Sequence, residues 1–222
     1  MSDPRVAAIP VMESAERLVT LADHDRLRLD RRLADPAGAF SFVREGLVSR
    51  LLRAQHLLPD GIQLLIVEAY RPPELQVRYY SEYCAELRAA NPQWTVEYLH
   101  AEASRSLAPP EIAPHTCGAA VDLTLCTASG EELPMGTQVN VSPDQCDGAC
   151  FTDAPNLSKE ARSHRNLLVR VMTEAGFVNY VTEWWHWSYG DRYWAAVTGA
   201  AAARYGPATD LPHRHQPYRG AR

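Results

Sequence analysis

Residues 114–125 read PHTCGAAVDLTL and residues 182–187 read TEWWHW, and these two stretches decide how the chain is read. The run Ala119–Leu125 is apolar and β-favouring apart from Asp122 and Thr124, so it predicts a strand. His115 then sits at the exit of the proline-rich loop LAPPEIAP (107–114), with Asp122 pointing off the strand toward it. A carboxylate set into an apolar strand needs a partner, because burying it unpaired is costly. A metal ion or an arginine would serve. The second stretch sets Glu183 and His186 among Trp184, Trp185 and Trp187 on another apolar segment. Positions 183 and 186 fall on opposite faces of a regular strand. A bulge or strand end near Trp184–Trp185 is therefore predicted, so that both face one pocket.

Two imidazoles and one carboxylate suffice to hold a catalytic zinc with its fourth position open. The remaining carboxylate is the natural base for a water at that position. Aromatic walls raise the proton affinity of Glu183, which suits a base working near neutral pH. The constellation points to a metallohydrolase. A further cation, Arg71, closes the segment VEAYRPPELQ (67–76), where Pro72 and Pro73 restrict the backbone. It would either stabilise an oxyanion beside the metal or balance a carboxylate such as Glu68.

Working outward, IQLLIVEAY (62–70) reads as a buried strand ended by Arg71 and the proline pair. Helical spacing predicts helices over 40–58, 74–90, 95–107, 159–176 and 191–206, with Ser158 as an N-cap and Gly176 as a stop. FVNYV and WWHWSY read as strands. Mixed helices and non-alternating strands predict a single α+β domain, helices packed on a small antiparallel sheet. Residues 1–39 read as an irregular segment packed on the domain, 40–206 as the catalytic domain, and 207–222 as a polar tail.

At 222 residues, 46% hydrophobic and 22% charged, the chain has the length and composition to bury one core. A net charge of -5 argues against a nucleic-acid or anionic-membrane partner. No run approaches the roughly 18 apolar residues of a membrane span, and the acidic N-terminus does not read as a signal peptide, so a cytoplasmic protein is expected. Five cysteines at irregular spacing (Cys84, Cys117, Cys126, Cys146, Cys150) suit free thiols in a reducing compartment. Cys117 as a thiolate ligand is the minor alternative.

HTCGAAVDLTL, MGT (135–137), AGF (175–177) and EWWHW resemble, in order and spacing, the VanX-type D-alanyl-D-alanine dipeptidases. These are zinc peptidases that share a fold with D-Ala-D-Ala carboxypeptidases and hedgehog domains, and EAYRPPELQ is similar to their Tyr-Arg-Pro segment. The resemblance runs from about Phe40 to Trp194. It implies one zinc held by His115, Asp122 and His186, with Glu183 as general base and Arg71 stabilising the tetrahedral intermediate. It also implies a small peptide substrate in cell-wall metabolism, met by Ala113, Asn140 and Trp185. Two positions depart from the family pattern, Ala113 where serine is usual and Asn140 where an aspartate binds the substrate ammonium, and the family's early Tyr-containing segment has no clear counterpart before Phe40. Each departure falls on the substrate side, none on the metal. The alternatives are a D,D-carboxypeptidase or peptidoglycan endopeptidase, and a catalytically idle zinc-binding module on the same fold.

Overall fold

Short strands and amphipathic helices alternate along the chain in a computed structural model that describes residues 3–208 and 211. In order they are α1 (Pro4–Ala7), β1 (Leu18–Thr20), β2 (Arg28–Leu29), β3 (Phe42–Arg44), α2 (Glu45–His56), β4 (Ile62–Glu68), α3 (Pro73–Ala90) and α4 (Val96–Ser106). Then come β5 (Ala120–Thr127), α5 (Lys159–Glu174), β6 (Val178–Tyr180), β7 (Glu183–Ser188) and α6 (Arg192–Thr198). The main sheet has the order β2-β4-β5-β7-β6, and β1 pairs with β3 in a separate ribbon. All pairings are antiparallel except that of the two-residue edge strand β2 with β4. The molecule is thus an α+β domain with helices on a small sheet. None of the described helices is long and apolar enough to cross a membrane.

Strand alternation sorts the side chains of β5. Val121, Leu123 and Leu125 enter the core with Leu64 and Ile66 of β4, Leu47 and Leu51 of α2, and Leu168 and Met172 of α5. Each fully buried leucine contributes roughly 1.5–3 kcal/mol. Asp122 is left to the opposite face, where it lines the cleft. Helix α5 begins at Ser158, whose hydroxyl accepts from Ala161 N, and the chain turns after it at Gly176.

Three segments differ from the sequence expectation. The helix expected from Phe40 starts only at Glu45, because Phe42–Arg44 pair with Leu18–Thr20 and bury their side chains as a strand. The N-terminal stretch read as irregular supplies β1 and β2, which are too short to show periodicity. The helix expected over 191–206 stops at Thr198, where Gly199 takes the left-handed conformation at φ 73°. Beyond it, Ala203 pairs with the N-terminal segment through Ala203 N to Pro10 O and Met12 N to Ala203 O. Tertiary hydrogen bonds override the helix propensity of the alanine run. Most of the tail expected from Pro207, with His213 and His215, lies outside the described residues.

One buried cation organises the connection between β5 and α5. Arg165 is 1% exposed and sits over the Trp184 ring, its guanidinium 5.3 Å from the ring centroid. It donates to Met135 O, Phe151 O and Ala149 O at 2.7, 2.6 and 2.7 Å. Burial pushes its pKa down to about 10, so it stays charged at neutral pH. Arg165→Met should strand three carbonyls and cost about 3 kcal/mol or more, read as a lower urea midpoint at unchanged m-value.

Candidate metal centre

The loop that delivers His115 is a short 3-10 turn, Pro114–Cys117, closed by Gly118 at φ 63°. A Cβ there would meet Leu18 Cδ2 at 2.4 Å, so both the conformation and the packing demand glycine. Arg44 locks the turn from behind, its Nε donating to Cys117 O and its backbone N to Gly118 O. At the front, His115 Nδ1 lies 2.6 Å from Ala69 O, and Arg71 N donates to His115 O. The first contact makes Nδ1 the protonated nitrogen and frees Nε2 as a ligand.

His115 Nε2 stands 3.2 Å from His186 Nδ1 and 3.4 Å from Asp122 Oδ2, and His186 Nδ1 is 2.9 Å from Asp122 Oδ1. All three residues are buried. Three donors at 2.0–2.1 Å around a tetrahedral zinc are about 3.3 Å apart, so this set fits the ion. Two imidazole nitrogens facing each other and a carboxylate in a buried site are also the donor chemistry that zinc takes. Burial alone would raise the Asp122 pKa, but the two imidazoles hold it well below the usual carboxylate range.

The strand geometry explains how His186 and Glu183 come to share the pocket. Asn179 pairs with Trp187, yet the next residue, Tyr180, pairs with Glu183, so β7 bulges through residues 184–186. The Asn179 side-chain amide fills the bulge, donating to Glu183 O at 3.1 Å and His186 O at 3.0 Å. Trp187 Nε1 takes Trp184 O. Glu183 Oε2 comes to rest 4.0 Å from His186 Nδ1, its side chain a quarter exposed. Burial raises its pKa above the ordinary glutamate value, partly offset by His186.

Arg71 lies on the same cleft and also pairs with Glu68, so the two sequence readings of it are not exclusive. Its Nε and Nη2 donate to Glu68 at 2.7 and 2.5 Å, and its Nη1 to Gln76 Oε1 at 2.6 Å. Glu68 faces this way because β4 bulges between Ile66 and Glu68, which sets Glu68 opposite Asp122. A cavity of about 360 Å³ joins Arg71, Ala113, His115, Asp122, Glu183 and His186 with Asn140 and Trp185. Cys117 stands apart: it is buried, its pKa is pushed up to about 12, and its thiol faces Ala113 O. Sequence reasoning missed Asn179 and Gln76, and the one signal was a polar side chain in an otherwise apolar strand and helix start.

A family model described as D-ala-D-ala dipeptidase matches residues 31–202. The chain belongs to that family. Among curated members, a D-alanyl-D-alanine dipeptidase of Synechocystis sp. is 28% identical, covering 85% of this chain and 87% of its own length. One from Escherichia coli K12 is 31% identical over 57% of this chain and 55% of its own. A solved structure of VanYB in complex with D-alanine-D-alanine aligns over 90% of this chain and 92% of that chain, at 16% identity and a TM-score of 0.46. The family match starts before Phe40, the point where the sequence resemblance begins.

His186→Ala should lower bound zinc, measured by elemental analysis after dialysis, from one per chain to well below that. Asn179→Leu keeps all three donors but releases the bulge, and zinc affinity should fall about 10–100-fold in a competitive chelator titration.

Proposed function

We propose that this protein is a zinc-dependent dipeptidase that hydrolyses D-alanyl-D-alanine or a related small peptide, with His115, Asp122 and His186 as the metal ligands. The observation that carries the reading is the triangle of three donor atoms 2.9–3.4 Å apart with a second carboxylate, Glu183, beside it. Curated members of the family are named D-alanyl-D-alanine dipeptidases, which supports this substrate class. A zinc held there lowers the pKa of a water and polarises a peptide carbonyl.

The chain's own residues do the rest. Glu183 Oε2, raised in proton affinity by burial, accepts a proton from the water whose oxygen bonds to the peptide carbonyl carbon, and returns it to the amine that departs as the C–N bond breaks. Trp185, 2% exposed, lines the same cavity and gives this exchange one apolar wall. Arg71, held by Glu68 and Gln76, presents a fixed positive charge to the cleft, where it would stabilise a developing oxyanion. A carboxylate poised to carry protons has no task in an idle metal-binding module, which favours the enzyme. The substrate class belongs to cell-wall metabolism, and the chain's five free thiols suit the reducing cytoplasm.

Glu183→Ala should keep one zinc per chain and lose about 10²–10⁴-fold in kcat for D-alanine release from D-Ala-D-Ala. Retained turnover in that variant would overturn the assignment. Arg71→Lys should lower kcat far more than it raises KM, since the fork that grips Glu68 and Gln76 is lost while the charge remains.

A further inference from the structure

The cavity that holds the three donor side chains does not end at Asn140. A second cavity of about 630 Å³ lies beyond it, and both are walled by Arg71, Tyr79 and Asn140. The outer chamber is lined on its far side by Leu33, Ala34 and Pro36 before β3 and by Leu75 and Arg78 of α3. A dipeptide needs only the inner one. The two together reach the upper end of the range that small-ligand pockets span, roughly 300–1,000 Å³.

The residue at the threshold has the chemistry for a continuing chain. Asn140 is exposed, adopts φ 65°, and its amide makes no hydrogen bond among the described residues. A side-chain amide offers a donor and an acceptor together, which matches the N–H and C=O of a passing peptide group. A charged peptide terminus at the same place would select a carboxylate instead. The outer chamber also keeps free surface for side chains: Leu33 is 42% and Tyr79 38% exposed. Arg78, its side chain 63% exposed, meets Glu82 at 3.9 Å and lies over the Tyr79 ring, 5.6 Å from its centroid.

We infer that the outer chamber is a subsite for further residues of a peptide longer than a dipeptide, with Asn140 pairing to its backbone as it passes. This rests on the hydrolase reading above, with the cleavage centre in the inner cavity. The substrate range then extends beyond the dipeptide to an oligopeptide of three or more residues, bound across both chambers.

Calorimetry on the zinc-loaded Glu183→Ala protein tests the subsite without turnover, using D-Ala-D-Ala and tetra-D-alanine as probes. Tetra-D-alanine should bind at least tenfold tighter. Ala34→Trp, at an exposed position, should fill the outer chamber and lower that tetrapeptide-to-dipeptide ratio at least tenfold. Asn140→Asp, which tolerates the same backbone conformation, should move the ratio toward the dipeptide. Equal affinities for the two probes, or a tetrapeptide advantage that survives Ala34→Trp, would refute the subsite. D-alanine release by the wild-type zinc enzyme reads the hydrolase separately, so its failure leaves the binding ratio to decide the subsite.

Discussion

A single buried carboxylate, Asp122, organises this protein. It sits in the central strand of the sheet with both oxygens turned to imidazoles, one on a loop that enters the sheet and one on the neighbouring strand. A carboxylate in that position is tolerable only where positive charge meets it on every open side. His115 and His186 meet its two oxygens directly, and a zinc ion taken between the three side chains would supply that charge. The arrangement is therefore both the least hydrophobic point of the sheet and the reason that three separate segments converge there.

Convergence requires two breaks in strand regularity, and each has its own filler. On one side of β5, the β4 bulge turns Glu68 toward the cleft, where Arg71 neutralises it and Gln76 ties Arg71 to α3. Gln76 Nε2 in turn donates to Ala108 O, so the first turn of α3 is joined to the loop that leads to His115. On the other side, the β7 bulge turns Glu183 into the cleft beside His186, and Asn179 satisfies the carbonyls that the bulge releases. Polar side chains thus repair the ladder at the places where function interrupts it. Arg165 does a related task one layer away, gathering three carbonyls of the long connection beneath Trp184.

The same logic separates the donor chemistry of the cleft from the fit of a substrate within this one molecule. Asp122, His186 and Glu183 lie on β5 and β7 and His115 on a tight 3-10 turn, where packing fixes their side chains. Asn140 and the outer chamber lie on a loop and at the start of α3, where exposure leaves room for change.

Much of this was legible in the residues. The two motif stretches named the donor atoms, because only a metal or a partner cation accounts for a histidine and an aspartate set in apolar sequence. The tryptophan run required a break before His186 and Glu183 could face one pocket, since their spacing has the wrong parity for a strand. Local pattern determined those features because each is decided by residues close in sequence. What only the tertiary structure decided depends on distant partners. The strand Phe42–Arg44 replaces a helical start because Leu18–Thr20 lies beside it. The alanine run after Gly199 gives up its helix to pair with the N-terminal segment. Asn179 acquires its role only when β6 meets β7 out of register, and the second chamber exists only because α3 and residues 32–36 close on the same side of Arg71. Periodicity records which face of an element is buried, but not which remote backbone will supply its hydrogen bonds.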